Sequence, residues 1–216
     1  MSQPRHPTEA VFLKEVANHQ MAILRDDGVN RHLRFRQPNT NMFMFEIITW
    51  PGYLCYSGDM GCYVFSRIDD MFEFFRTDRH HMPLTDGSTL AINPSYWGEK
   101  LQAESIFGDG FKKFSADRLR EVVKSIYDDH IADAELSDDD KADLWQEIES
   151  QVLANADDGE YAVRQAMQDF NCHSFEFTDS WEFSLTDYTW HFIWCCYALA
   201  WAIGKYDDKK AEGAPE

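Results

Sequence analysis

Thirteen carboxylic acids are the side chains of this sequence most able to do chemistry. They lie between positions 128 and 160, where Lys141 is the only lysine or arginine. On helices, side chains three or four residues apart are about 5 to 6 Å from one another, which approximates the charge spacing of a nucleic-acid backbone. Such a surface could occupy a cationic groove of another protein, or it could serve only solubility. We call these residues the acidic block: Asp128, Asp129, Asp133, Glu135, Asp138, Asp139, Asp140, Asp143, Glu147, Glu149, Asp157, Asp158 and Glu160.

A second candidate is a catalytic group near a predicted hairpin turn. Asp59, His80 and His81 could act as acid and base, with Cys62 as the nucleophile. No spacing singles these residues out, and the sequence has no nucleophile-elbow, phosphate-binding or dinucleotide-binding motif. We therefore expect a binding protein rather than an enzyme. A small cytosolic enzyme with a pocket near Asp59, His80 and His81 remains the alternative.

The sequence predicts neither a metal ion nor a cofactor. Residues 137–143 cluster oxygen donors, but they lack the glycine that a calcium loop needs at its sixth position. The histidines and cysteines do not show the paired spacings of a zinc site. The five cysteines are an odd number without a C-x-x-C pair, which is typical of free thiols in a reducing compartment.

The composition restricts the partners. The 216 residues include 38 acidic and 20 basic side chains, and the net charge of −18 disfavours direct binding to nucleic acid or to anionic lipid. A chain with 44% apolar and 15% aromatic residues is expected to fold around a core. The most apolar stretch, residues 190–203, is shorter than the ~20 residues of a membrane-spanning helix. We therefore expect a cytoplasmic protein without membrane contact.

The elements that must position these residues begin with a helix and strands. A helix is predicted over residues 9–25, with Thr8 as its N-cap. Between residues 31 and 66, aromatic and β-branched segments alternate with turn residues, which predicts an antiparallel β-meander. A short helix is predicted over 69–76, and Asn93-Pro94 has the pattern of an N-cap followed by the first helical residue.

The second half of the chain is predicted to be mainly helical. Ser115 and Ser137 have the pattern of N-caps, and further helices are predicted over residues 158–170 and 186–203. Aromatic and polar residues alternate over 175–183, which predicts an additional strand.

Strands grouped early and helices grouped late indicate an α+β fold, in which an N-terminal helix and an antiparallel β-meander pack against a mainly helical C-terminal half. We expect one domain over residues 1–206, because the apolar C-terminal helix needs a sheet against which it can be buried. Subdomains 1–110 and 111–206 are the alternative. Residues 207–216 are expected to form a flexible tail.

The meander carries a long aromatic-rich motif. It reads FEIITWPGYLC over residues 45–55, SGDMGCYVFSR over 57–67 and MFEFFR over 71–76. This sequence resembles that of a family of uncharacterised proteins encoded by bacteriophages and prophages, strongly over residues 33–76 and loosely elsewhere. The resemblance transfers no catalytic or ligand-binding residue. It implies action in the cytoplasm of a bacterial host, where anti-CRISPR and anti-restriction inhibitors often resemble nucleic acid in charge.

These observations predict an inhibitor that places its acidic block in a cationic cleft of a bacterial nucleic-acid-binding protein or defence complex. Electrostatic steering would bring the partners together, and an exposed aromatic residue such as Trp145 could anchor the contact. An assembly module that binds through an apolar patch is a further interpretation. The surplus of aromatic residues also makes a homodimer conceivable.

Overall fold

The α+β fold predicted from the sequence is confirmed. The computed structural model describes the backbone of residues 5–81, 88–105 and 110–213. In this part of the chain, an N-terminal helix precedes a six-stranded antiparallel sheet, and the C-terminal half is mostly helical. The order of elements follows the sequence pattern, with strands grouped early and helices grouped late.

The chain divides into two compact units. The sheet unit contains Met1–Phe111 and Tyr188–Glu216, and the helical unit contains Lys112–Asp187. Each unit has its own cluster of buried apolar side chains. The apolar C-terminal helix, on which the expectation of one domain rested, belongs to the sheet unit. The helical unit therefore ends before that helix and does not extend to residue 206.

The sheet is a meander in which each strand pairs with the next in chain order. The segments predicted as strands between residues 31 and 66 form β2 to β5, and Gly52 takes the positive φ of +83° that the turn between β3 and β4 requires. The strands are β1 (Gln20–Asp27), β2 (Asn30–Arg36), β3 (Phe45–Trp50), β4 (Tyr53–Gly58), β5 (Gly61–Ser66) and β6 (Leu101–Glu104).

One face of the sheet is buried against helices of the same unit. These helices are α1 (Glu9–Glu15), α2 (Met71–His81), α3 (Pro94–Gly98) and, at the end of the chain, α7 (Trp190–Glu212). The ring of Phe45 stacks on Phe35 and meets the edge of Trp194 from α7, with 5.7 Å between the ring centroids of Phe45 and Trp194. Phe12 of α1 contacts the same tryptophan. Aromatic packing thus joins the sheet to the helices.

The predicted helix over residues 9–25 is wrong in its second half. Thr8 caps α1 as predicted, but the helix ends at Glu15 and β1 begins at Gln20. Met21 and Ile23 lie opposite Phe35 and Leu33 of β2. Ile23 and Leu24 follow Val16 at seven and eight residues, as on one face of a helix, whereas Met21 and Ile23 alternate as in a strand. Pairing with β2 decides between the two structures.

The C-terminal helix passes the point at which we expected a flexible tail. It continues to Glu212, whereas the tail was predicted from residue 207. Contacts within the sheet unit account for the difference. Asp207 accepts hydrogen bonds from Arg76, and the Nζ atom of Lys210 lies 3.0 Å from a carboxylate oxygen of Asp26.

The helical unit is bounded by two short strands that pair with each other. The predicted strand over 175–183 is wrong, because Asp179 has a left-handed backbone, with φ of 53°, and a 3₁₀ turn follows it. The elements are β7 (Lys112–Phe114), α4 (Ala116–Asp133), α5 (Asp138–Gln151), a 3₁₀ helix (Leu153–Asp158), α6 (Glu160–Asp169), a second 3₁₀ helix (Ser180–Glu182) and β8 (Thr186–Tyr188).

Candidate functional site

Side-chain caps fix where the helices that carry the acidic block begin. The hydroxyl of Ser115 accepts a hydrogen bond from the Arg118 N–H at the start of α4. At the start of α5, Ser137 and Asp140 form the reciprocal capping box that their spacing predicts. Both predicted N-caps are confirmed. The nine members of the acidic block that lie on α4 and α5 are therefore held on capped helices, whereas Glu135 lies in the loop between them.

Apolar side chains on the inner faces of α4 and α5 decide which residues face water. Leu119 and Val123 of α4 are fully buried, as are Leu144 and Ile148 of α5. These residues recur at intervals of four, so one face of each helix enters the core of the helical unit. The acidic residues of α4 and α5 lie outside this buried face.

None of the thirteen carboxylates of the acidic block is buried. Ten are exposed, and Asp140, Glu147 and Glu160 are half-buried. The helical unit contains 20 acidic and 7 basic residues, a net charge of −13, although it is the smaller unit. Most of the negative charge of the protein is thus displayed on this unit.

Six members of the acidic block lie within 4.0 Å of a basic side chain. Asp140 and Asp143 share His173, and each of the other four has a lysine or arginine. These other pairs are Asp128 with Lys124, Asp138 with Lys141, Glu149 with Arg120 and Glu160 with Arg164. Exposed pairs of this kind contribute at most ~1 kcal/mol each.

The remaining seven members have no basic partner among the residues that the structure describes. Glu147 accepts a hydrogen bond from Gln151, which leaves its charge uncompensated. Asp129 and Asp133 are four residues apart on α4, where like charges repel. The seven are Asp129, Asp133, Glu135, Asp139, Glu147, Asp157 and Asp158.

Helix geometry divides the acids of α5 into a ridge and a flank. Asp139, Asp143 and Glu147 follow one another at intervals of four, which aligns them along one side of the helix. Asp138 and Glu149 lie more than about 100° around the helix from Asp143, given ~100° per residue. The acids of α5 are therefore spread around the exposed side of this helix and are not confined to one line.

Trp145, the aromatic anchor that the sequence suggested, is not among the exposed aromatic residues of the helical unit. Trp145 is half-buried and packs edge-on against Tyr127, with 5.0 Å between ring centroids. Tyr161 and Trp181 are 83% and 66% exposed. Arg164 links the two elements that carry them, because it hydrogen-bonds to Glu160 of α6 and to the Ser180 carbonyl. Sequence reasoning missed Trp181 because it lies in the segment predicted as a strand.

Potential metal ligands from two distant segments of the sequence meet in the helical unit. Ligand atoms of Asp143, Cys172 and His173 all lie within 4.8 Å of one another. Partial burial raises the pKa of the Cys172 thiol, and the carboxylates of Asp143 and Glu147 raise it further. The adjacent pair Cys172-His173 was visible in the sequence, but its partner on α5 was not.

The structure describes part of the alternative catalytic group. The Asp59 carboxylate accepts a hydrogen bond from the Phe43 N–H at 2.9 Å and so stabilises a turn. The Cys62 sulfur lies 3.9 Å from that of Cys55, and burial together with Cys62 raises the pKa of Cys55 to about 12. The side chains of His80 and His81 lie outside the described residues. Asp59 does not line a cavity of 290 Å³ that lies along β1 and β2 of the sheet unit.

All five cysteines are free thiols. No helix in the described ranges combines the length and the apolar character needed to cross a lipid bilayer.

A comparison of the chain with protein-family models, with curated protein sequences and with solved structures finds no match.

Proposed function

We propose that the helical unit is a docking module that binds a cationic, nucleic-acid-binding groove of another protein. The observation that carries this proposal is the set of seven carboxylates, exposed or half-buried and six of them on helices, that have no basic partner among the residues that the structure describes. An uncompensated negative surface attracts a positive one over about 10 Å at moderate ionic strength. It also accelerates association.

The partner class follows from the arrangement of charge. Carboxylates repeated every helical turn approximate the charge density of a nucleic-acid strand, so a groove built for phosphates offers complementary lysine and arginine side chains. The exposed rings of Tyr161 and Trp181 add the residue types that contribute most to protein interfaces. We infer the bacterial host and its cytoplasm from the resemblance of residues 33–76 to phage proteins, and the free thiols fit a reducing compartment.

In this proposal the protein is an inhibitor, of the anti-CRISPR or anti-restriction type, of a bacterial defence or nucleic-acid-handling complex. It needs no catalytic residue, because occupying the groove is sufficient to exclude the nucleic acid. It also needs no direct contact between this chain and nucleic acid, which the net charge of −18 disfavours.

Affinity capture from a bacterial lysate with two charge-reversed variants tests the proposal. The first variant carries Asp129→Lys, Asp133→Lys and Asp139→Lys on the helical unit. The matched control carries Asp69→Lys, Asp208→Lys and Glu212→Lys, which are exposed acids of the sheet unit. Both variants change the net charge equally. Captured proteins are identified by mass spectrometry at low and at high salt.

The docking proposal predicts that the wild type and the control retain a nucleic-acid-binding protein at low salt and release it at high salt. The first variant should not retain it at either concentration. Equal capture by all three proteins would contradict the proposal and would favour an assembly module that binds through another surface. The same would follow if the captured protein did not bind nucleic acid.

A further inference from the structure

The turn that carries Cys172 and His173 is built to hold these two side chains beside α5. Cys172 and Phe175 exchange backbone hydrogen bonds of 3.1 and 2.8 Å around a loop of two residues. His173 and Ser174 have φ values of 49° and 61°, as a tight turn of this kind requires. Phe175 is buried and anchors the turn in the core of the helical unit.

The turn brings its side chains to the acidic ridge of α5. The Nε2 atom of His173 lies 3.0 Å from an oxygen of Asp143, and the ligand atoms of Asp143, Cys172 and His173 lie within 4.8 Å of one another. In a tetrahedral zinc site, bonds of about 2.0 to 2.3 Å place neighbouring ligand atoms roughly 3.3 to 3.8 Å apart. Closing the observed arrangement to that geometry needs shifts of about 1 Å, which rotations of exposed side chains can supply.

The donor types select a borderline-soft metal. A thiolate, an imidazole and a carboxylate together suit Zn²⁺, whereas Mg²⁺ and Ca²⁺ prefer sites made of oxygen atoms. The Nδ1 atom of His173 lies 3.9 Å from an oxygen of Asp140. This distance is too long for a hydrogen bond, so Asp140 lies near the ring without fixing it, and Nε2 is the nitrogen that faces Asp143. The side chains of Asp143 and His173 are 60% and 28% exposed, so water can reach the centre of the cluster.

We propose that Asp143, Cys172 and His173 form a zinc site with three protein ligands and a fourth position open to water. Asp140 is not a ligand of this site, because its carboxylate accepts hydrogen bonds from Ser137 in the capping box. The proposal is independent of the docking function, because it concerns a metal ion and not a protein partner. An open fourth position is the arrangement in which a further ligand, such as a side chain or a substrate, can join the metal.

Titration with Zn²⁺ and with Co²⁺ tests the proposal on the reduced full-length protein. Zinc binding is measured by calorimetry in the presence of excess Mg²⁺, which occupies diffuse acidic sites. Cobalt is followed by its absorption, because a thiolate ligand gives a charge-transfer band that carboxylates do not give. The variants are Cys172→Ser, His173→Gln and Asp143→Asn. Their matched controls are Cys62→Ser, His191→Gln and Asp139→Asn, and circular dichroism verifies that each protein is folded.

We expect one Zn²⁺ per chain and a cobalt–thiolate band that disappears in Cys172→Ser. Each of the three ligand variants should weaken zinc binding at least about tenfold, because loss of even an outer partner costs 10- to 100-fold. The controls should bind as the wild type does. Zinc binding that Mg²⁺ abolishes, a cobalt spectrum without the thiolate band, or equal losses in Asp139→Asn and Asp143→Asn would overturn the proposal.

Discussion

The two units use the same acidic residue types in different ways. In the sheet unit, carboxylates hold the fold together. Asp70 accepts two hydrogen bonds of 2.8 Å from Arg31, whose side chain is only 9% exposed, and Asp207 accepts hydrogen bonds from Arg76. In the helical unit, seven carboxylates of the acidic block have no basic partner within the described part of the chain.

This difference separates charge that the fold needs from charge that the fold leaves available. A carboxylate that neutralises a buried arginine cannot leave it to bind a partner protein without loss of stability. An exposed carboxylate that is repelled by its neighbours is stabilised when a cationic surface covers it. The comparison therefore predicts that substitutions in the sheet unit change stability, whereas substitutions in the acidic block change binding.

The largest effect is expected in the aromatic core of the sheet unit. Phe45 is fully buried and contacts the rings of Phe35, Tyr56 and Trp194. Phe45→Ala should lower the free energy of unfolding by about 3 to 5 kcal/mol, because it removes apolar contacts and leaves a cavity. Urea unfolding followed by circular dichroism measures the change. A loss below about 1 kcal/mol would contradict this description of the core.

Asp70→Asn should have the next largest effect. The substitution leaves the Arg31 guanidinium in a largely buried position without its charged partner. Breaking a fully buried pair costs about 3 to 5 kcal/mol, and because Asp70 is partly exposed we expect about 2 kcal/mol. Equilibrium unfolding at neutral pH measures the loss. A variant as stable as the wild type would show that the Arg31–Asp70 pair does not hold the sheet unit.

The same pair predicts a dependence of stability on pH. Burial raises the pKa of Asp70, but the hydrogen bonds from Arg31 and from the Phe72 N–H outweigh it and lower the pKa below the ordinary value of 3.8. The unfolded chain therefore takes up a proton at a higher pH than the folded chain does. The pair stabilises fully above about pH 5, and this contribution is lost as the pH falls below about 4. Asp70→Asn should flatten the stability profile there, and an unchanged slope would contradict the prediction.

A smaller effect is expected at the start of α5. Ser137→Ala removes the hydroxyl that accepts a hydrogen bond from the Asp140 N–H. Loss of such a cap costs about 1 kcal/mol. Ser137→Thr keeps the hydroxyl and is the matched control. Thermal unfolding compares the two variants, and equal stability of Ser137→Ala and Ser137→Thr would show that the capping box does not determine where α5 begins.

The smallest effect is expected within the acidic block. The double substitution Asp129→Asn and Asp133→Asn removes a repulsion between like charges and should leave the free energy of unfolding within about 0.5 kcal/mol of the wild type, or raise it slightly. Asp207→Asn in the sheet unit is the contrast and should be destabilising, because it weakens the pair with Arg76. A marked loss of stability in the double variant would mean that the fold does use these acids.

Local sequence patterns predicted much of the fold. The segments that form β2 to β5 are rich in aromatic and β-branched residues and lie between turn residues, and Thr8, Ser115 and Ser137 have the side chains that cap helices. These features depend on neighbours in sequence. The strand β1 was missed because its pairing with β2 outweighs a helix-like spacing, a choice that only the sheet makes.

The candidate site was predicted in part. Polar patterning on amphipathic helices is enough to place the acidic block in contact with water. Three pairs of the acidic block join residues three or four positions apart on one helix. Other pairs are not encoded locally: Glu149 meets Arg120, which is 29 residues away. The same holds for Asp143, which meets Cys172 and His173 across a similar separation. Contacts of this kind depend on how the helices and the turn pack, and no spacing rule finds them.

Competition with duplex DNA tests whether the acidic block occupies a nucleic-acid-binding groove. The partner protein that the capture experiment isolates is bound to immobilised wild-type protein, and increasing amounts of duplex DNA are added at constant ionic strength. The account predicts that DNA displaces the partner completely, because the acidic block and the DNA backbone occupy one groove. A stable complex that contains this protein, the partner and DNA together would contradict it.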